Sequence, residues 1–310
     1  MARAGLIAAV AIVALGLVST ARSGEPAPGV APPCFGAAAR DAAHPCVNPS
    51  LRTLVTPAPR DALLVPDAPC DPVAYDAVLD VCVFGAPSGS AATVALLGDS
   101  HASGWRAALV AAGWAGVSLT RSSCPFSRAR PRVDARSRTA CRRWNDAAIA
   151  WLGAHPRVRH VFVSALAGAP ILPEAGRTGL ESKVDGYRAA WAALPPSVKR
   201  IFVLRDVPTH PWRTIDCLEA ALAAHRPPMP RCSVRRSGAL LADPEVLAAR
   251  RTSARRVRVI DLTSFMCGPR RCYPVVGGVL VNKDTNHLSR AFSTTLGPYV
   301  YRRARPWPAP

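Results

Sequence analysis

Thr93-Val94-Ala95-Leu96-Leu97-Gly98-Asp99-Ser100-His101 is the stretch on which the reading of this chain turns. Its first five residues form a short, mostly apolar run, as expected of a strand buried on both faces of a parallel sheet. Gly98 permits a tight turn, and Asp99 can accept hydrogen bonds from the backbone N–H groups of that turn. Ser100 and His101 then open the next helix. A side chain at that point stands in the crevice at the carboxyl edge of a strand. It also lies beside a helix N-terminus, whose free N–H groups favour a developing negative charge. Ser100 is therefore a candidate nucleophile, with Gly98 and Asp99 shaping its turn. Taken alone, the same four residues also describe an ordinary helix N-cap.

Outward from this stretch, strand and helix signals alternate. Helices are expected over residues 102–112, 144–154, 186–194, 244–253 and from 288 to about 303. Strands are expected over 116–120, 158–164, 200–204 and 257–260. Apolar strands separated by helices predict an α/β fold with a mostly parallel sheet covered on both faces.

The chain has 310 residues, 49% of them hydrophobic, enough for one sizeable domain with additional segments. Met1-Ala2-Arg3 precedes an uncharged apolar run from Ala4 to Val18, followed by Ser19-Thr20-Ala21-Arg22-Ser23-Gly24. That run is short for a bilayer span, which needs about 20 residues. Ala21 and Ser23 have the spacing of a signal-peptidase site. Residues 1–23 thus read as a signal peptide, with an uncleaved membrane anchor as the alternative. Either places the remainder outside the cytoplasm, periplasmic or secreted. Residues 24–90 are rich in Pro and Ala, carry four cysteines and show little periodicity. They are expected to form an irregular, disulfide-tied extension over a main domain at 91–305.

The ten cysteines fall into close sequence pairs: Cys34/Cys46, Cys70/Cys82, Cys124/Cys141, Cys217/Cys232 and Cys267/Cys272. An even, paired set suits an oxidising compartment, and five nearest-neighbour bridges are the expectation, although sequence alone leaves the connectivity open. No C-x-x-C pair with accompanying His ligands is present, so no zinc site is expected. The net charge is +19, and apart from Lys183, Lys199 and Lys283 every basic residue is Arg. Scattered solvated arginines explain this charge without a partner; attraction to anionic envelope polymers or lipid headgroups is the functional alternative. Nucleic acid is not expected as a partner of an exported chain.

Far downstream stands Lys283-Asp284-Thr285-Asn286-His287-Leu288-Ser289. An Asp three residues ahead of a His can accept from the imidazole Nδ1–H. That fixes the tautomer and leaves Nε2 to take a proton from a serine. The order Ser, Asp, His is that of α/β-hydrolases, but their elbow has Gly two residues after the serine, where this chain has Ala102.

Gly98-Asp99-Ser100 early with Asp284-x-x-His287 late resembles the SGNH/GDSL hydrolase superfamily instead. The resemblance extends through Cys34-Phe35-Gly36, His44-Pro45-Cys46, Val94 to Trp105, Ser123-Cys124-Pro125, Cys141-x-x-Trp144, Cys217-Leu218, Asp261 to Cys267 and Val275 to Val281. As an ordered set these resemble the SGNH domain found behind acyltransferase 3 membrane domains in bacterial cell-surface O-acyltransferases. The resemblance implies a flavodoxin-like three-layer sandwich, Ser100 as nucleophile, His287 as base and Asp284 as its orienting partner. It further implies acyl transfer, commonly acetyl, to a cell-envelope glycan. The alternatives are a carbohydrate acetyl-esterase and a catalytically silent glycan-binding or scaffold module. No cofactor is implied. The 310 residues contain no acyltransferase membrane domain, so a separate membrane partner is expected to supply any acyl donor.

The wider superfamily places a Gly-x-Asn-Asp motif after a later strand, its Asn donating to the oxyanion. This chain has Ser164-Ala165-Leu166-Ala167-Gly168 there. The oxyanion hole would then rest on the Ser100 N–H and an N–H near Ser122 or Ser123. Of the remaining polar candidates, His101 reads as a first-turn helix residue or a donor to a neighbouring group, and Asp206 and Asp261 as turn caps at strand ends, with a place lining the crevice as the alternative. His155, His160, His210 and His225 show no partner pattern. The seven tryptophans read mostly as core or rim residues, with Trp105 and Trp212 as candidates for stacking on a sugar ring.

Overall fold

Val94–Gly98 forms the strand that the sequence marks, and it lies inside a six-stranded sheet. The computed structural model describes residues 31–64, 79–85 and 94–305. The expected signal or anchor segment and Cys70 lie outside the described residues.

The sheet strands are β1 (Cys82–Phe84), β2 (Val94–Gly98), β3 (Gly116–Thr120), β4 (His160–Ser164), β5 (Arg200–Leu204) and β6 (Val257–Ile260), in spatial order β1-β3-β2-β4-β5-β6. All pairings are parallel except β1 with β3, so the sheet is parallel with one short antiparallel edge strand. That edge strand comes from chain read from sequence as irregular. The order of the five parallel strands reverses at β2, whose neighbours are β3 and β4. In open α/β sheets this reversal leaves a crevice at the strand's carboxyl end. Gly98, opposite both Thr120 and Ser164, closes β2 at that crevice.

Side chains alternate along each strand and build two cores. Val94, Leu96, Phe162, Phe202 and Ile260 pack on one face. Ala95, Leu97, Val117, Val161, Val163 and Val203 pack on the other. Helices α1 (Ser100–Ser103), α2 (Arg106–Ala111) and α7 (Arg290–Ala304) cover the first face. Helices α3 (Ala135–Ala154), α4 (Gly179–Ala192) and α6 (Pro244–Arg250) cover the second. The three-layer expectation therefore holds. Between β5 and α6 lies α5 (Arg213–Ala223), which the sequence reading did not mark.

Two helix expectations change in detail. The stretch 102–112 is two helices, interrupted at Gly104 and Trp105. Helix α3 starts nine residues before its expected start at 144, because Asp134 caps it by accepting from Ser137 N–H at 2.9 Å. Likewise α4 starts at Gly179 behind a capping box of Thr178 and Glu181.

Disulfides join Cys34–Cys46, Cys124–Cys141, Cys217–Cys232 and Cys267–Cys272, as the close sequence pairs suggested. Cys82 is disulfide-bonded too, and its expected partner is outside the described residues. Such a framework belongs to chains that fold in an oxidising compartment. Among the described residues no helix is long and apolar enough to cross a membrane.

Candidate active site

Gly98 takes φ +146°, and a Cβ there would stand 1.9 Å from Ser164 O, so only glycine lets β2 turn this closely against β4. Asp99 follows as the N-cap of α1. Its Oδ1 accepts from His101 N–H at 2.9 Å and its Oδ2 from Leu166 N–H at 3.0 Å. One carboxylate thus ties the turn to the loop after β4. Burial pushes the Asp99 carboxyl above its usual range, against the pull of His101 and these two N–H donors. Ser100 is then the first residue of α1, where its N–H has no intrahelical acceptor.

The second half of the site is the loop 283–287. Lys283 N–H donates to His287 O at 2.9 Å and Ser289 N–H to Val281 O at 2.8 Å, which closes the loop on itself. Ser289 then caps α7 by accepting from Phe292 N–H at 3.1 Å. Within the loop, Asp284 Oδ1 accepts from Asn286 N–H at 2.9 Å and from His287 N–H at 2.8 Å. Its Oδ2 lies 2.7 Å from His287 Nδ1. Partial burial works against the Asp284 charge, but His287 and the two backbone donors more than offset it and hold its pKa at about 2.

Across 187 residues of chain, His287 Nε2 lies 2.8 Å from Ser100 Oγ. Ser100, His287 and Asp284 therefore form one hydrogen-bonded line at the carboxyl end of β2, with His287 and Asp284 partly exposed. A carboxylate that fixes the imidazole, and an imidazole that faces a hydroxyl, together can take the proton from that hydroxyl.

The remaining candidates fall into place around this line. His101 is a first-turn helix residue, and its Nδ1 lies 2.6 Å from Asp206 Oδ1, both side chains buried. Burial alone would push His101 down; the Asp206 charge and hydrogen bond, with Asp99 and Asp284 behind them, overcome it and raise the pKa to about 9. The His101 ring sits 4.9 Å from that of His287, tilted by 50°. Asp206 does more than cap a turn. It accepts from Val207 N–H and Ala167 N–H, both at 2.8 Å, as well as facing His101. Asp243 accepts from Asp206 N–H at 2.8 Å, and burial lifts its own pKa to about 6. Sequence reasoning did not find this His101–Asp206 pair, although Asp206 follows the end of β5 and His101 opens the helix after β2.

Asp261 is the cap it was expected to be, accepting from Thr263 N–H at 2.9 Å and pairing with Arg205 at 2.6 Å. The segment 164–168 leaves β4 beside Gly98, and two of its N–H groups are committed to Asp99 and Asp206. It supplies no side-chain amide to the site. The turn carrying Ser122 and Ser123 follows β3 and is joined to β2 by Arg121 N–H donating to Gly98 O at 3.0 Å. Trp105 is 1% exposed and belongs to the core, so it cannot stack on a sugar, whereas Trp212 is 58% exposed. His155 stacks on Trp151, and burial lowers His210 to about 4. Among the described residues no group of three or more His, Cys, Asp or Glu is arranged to hold a metal ion.

The family described as "SGNH domain (fused to AT3 domains)" matches residues 67–302. The chain belongs to that SGNH family. No curated protein matches the sequence. Among solved structures, the SGNH chain is similar to the periplasmic domain of the lipopolysaccharide acetyltransferase of Salmonella ser. Paratyphi A, with 13% identity and a TM-score of 0.49, over 69% of this chain and 85% of that one. The matched residues include Ser100, Asp284 and His287.

Proposed function

We propose that this SGNH domain is an exported serine acyl-ester enzyme that moves an acyl group, in the first instance acetyl, to a hydroxyl of a cell-envelope glycan. The observation that carries this reading is the continuous Ser100–His287–Asp284 hydrogen-bonded line at the switch point of the sheet. Ser100 is the nucleophile, His287 the general base and acid, and Asp284 the group that holds His287 in the tautomer with Nε2 free.

In the first half-reaction Ser100 Oγ attacks the carbonyl carbon of an ester or thioester donor while His287 Nε2 takes its proton. The tetrahedral oxyanion collapses, the donor's leaving group departs with the proton from His287, and an acyl-serine remains. An acceptor hydroxyl then loses its proton to His287 and attacks the acyl carbon. Ser100 leaves and regains that proton. Water in place of the hydroxyl makes the same site an esterase.

The oxyanion faces the Ser100 N–H. For a second donor we keep the N–H groups of Ser122 and Ser123, which stand in the turn that Arg121 N–H ties to Gly98 O. Losing one such donor typically costs ~10²–10³ in rate where it is used. Because the family is one fused to AT3 domains, we assign donor supply to an AT3-type membrane acyltransferase as partner.

Turnover of p-nitrophenyl acetate tests the reading. The purified protein is expected to release nitrophenol, and Ser100→Ala to lose that activity. Added glycan should then compete with water for the acyl group. Turnover that survives Ser100→Ala would remove the enzyme assignment; turnover with no acyl glycan in the presence of candidate acceptors would leave the esterase.

A further inference from the structure

Arg235 and Arg271 stand directly opposite each other in the antiparallel pair Val234–Arg235 with Arg271–Cys272. Like charges in that relation repel. The neighbouring residues add to the repulsion, since Arg236 N–H donates to Arg270 O at 3.0 Å and all four arginines line one groove of about 750 Å³. Two of them are held in place from within the protein. Arg271 donates to the Ser233 hydroxyl at 2.6 Å and to Ser233 O at 2.5 Å, and Arg236 donates to Gly268 O at 3.2 Å. No carboxylate lines this groove.

A second groove, of about 900 Å³, shares Arg235 and Arg271 with the first and adds Arg213, Arg231 and Trp212. It too has no carboxylate in its lining, and Asp216, one turn beyond Arg213 on α5, makes no ion pair with it. Its lining includes Thr285, inside the Asp284–His287 loop, whose carbonyl accepts from His210 N–H at 2.6 Å. The Cys217–Cys232 disulfide ties α5 to the segment that carries Arg231. Trp212 is the one aromatic among the large hydrophobic side chains exposed in the described residues.

An arginine-rich composition puts guanidinium groups on every face. It does not by itself oppose them across a ribbon, fix two of them by hydrogen bonds, and set an exposed indole in one groove with them and with Thr285 of the Asp284–His287 loop. Guanidinium groups recognise carboxylates and phosphates in paired, planar geometry, and an indole face offers apolar area to the C–H face of a sugar ring.

We propose that the two adjoining grooves bind an anionic saccharide as the acyl acceptor, one ring lying on Trp212 and its carboxylates or phosphates on Arg213, Arg231, Arg235 and Arg271. The acceptor part of this inference rests on the acyl-transfer reading above; the binding part does not. A hydroxyl of the bound chain reaches Ser100 past Thr285, gives its proton to His287 and forms the new ester as the bond to Ser100 breaks.

Calorimetric titration of the full chain carrying Ser100→Ala separates binding from turnover. The probes are an oligogalacturonate, a neutral maltooligosaccharide of equal length and inorganic polyphosphate. The oligogalacturonate is expected to bind more tightly than the neutral chain, and less tightly as salt rises. The combined Arg213→Gln, Arg231→Gln and Arg235→Gln variant, which removes exposed side chains that make no ion pair among the described residues, should weaken it at least ~10-fold at unchanged Tm. Trp212→Ala should weaken it ~2–10-fold while leaving polyphosphate binding as it was. Equal affinity for the neutral chain, or binding indifferent to the three arginines, would overturn the inference. Loss of polyphosphate and oligogalacturonate alike in Trp212→Ala would overturn the saccharide seat. Saccharide binding as stated with no acyl transfer by the wild type would remove the acceptor role alone. Ester turnover without arginine-dependent binding would remove this inference and leave the acyl-enzyme reading standing.

Discussion

Replacing Asp206 by Asn should destabilise the protein in a way that depends on pH, and the structure fixes both the size and the sign. His101 Nδ1 lies 2.6 Å from Asp206 Oδ1, and both side chains are almost wholly buried. Burial lowers the His101 pKa, but Asp206, with Asp99 and Asp284, raises it overall from 6.5 to about 9. A shift of that size corresponds to ~3 kcal/mol of interaction between the imidazolium and its surroundings. His101 Nε2 is buried with no hydrogen-bond partner among the described residues, which offsets part of that gain. The net loss expected for Asp206→Asn is thus ~2–3 kcal/mol near neutral pH. Because the folded pKa is raised, this stability is fully present below pH 6.5 and is lost as pH rises through about 9. In the variant the Asp206 charge and hydrogen bond are gone and only Asp99 and Asp284 oppose burial, so the His101 pKa falls and its stabilisation on the acid side shrinks. Urea unfolding of wild type and variant at several pH values measures the gap directly. It should be widest on the acid side and narrow above about pH 9 to the pH-independent loss of one acceptor for the Val207 or Ala167 N–H. A gap that stays constant across this range, or one below ~1 kcal/mol at neutral pH, would refute the charged pair. Because the His101 ring faces His287, the variant should also lose kcat more than it raises KM.

Other outcomes follow from the same geometry. Asp284→Asn keeps an oxygen for the Asn286 and His287 N–H groups but points an amide at His287 Nδ1; the wrong tautomer should lower kcat by ~10³–10⁴ with the fold intact by circular dichroism. Gly98→Ala drives a methyl into Ser164 O and should cost ~3 kcal/mol or more, read as a large fall in Tm. Removing the Cys124–Cys141 disulfide, which spans 17 residues between the Ser122–Ser123 turn and α3, should cost ~3 kcal/mol in reversible unfolding.

The central strand and its turn were legible because each cue is local. Thr93 to Leu97 is an apolar run long enough for one buried strand, and Gly98 announces the turn that follows it. Asp284 and His287 were legible for the same reason, since a spacing of three residues on one loop lets a carboxylate meet an imidazole. The His101–Asp206 pair was not, because its members are 105 residues apart and each has an ordinary local explanation. Only the parallel order of β2, β4 and β5 brings their ends to one crevice. Helix α5 was missed although Ile215, Leu218 and Leu222 stand at helical spacing, a stripe the reading passed over. Trp105, a candidate for stacking on a sugar, belongs to the core, where the break between α1 and α2 places it. The arginine grooves are likewise tertiary, assembled from α5, a short antiparallel pair and the Asp284–His287 loop.

The most direct test of the account is the site of reaction with a fluorophosphonate, which traps an activated serine and needs no knowledge of donor or acceptor. Peptide mapping of the folded, disulfide-intact protein should find one adduct, on Ser100. Ser100→Ala should abolish the adduct, and His287→Ala should slow its formation severely. No adduct in folded protein, or an adduct that persists in Ser100→Ala, would contradict the assignment of Ser100 as the nucleophile.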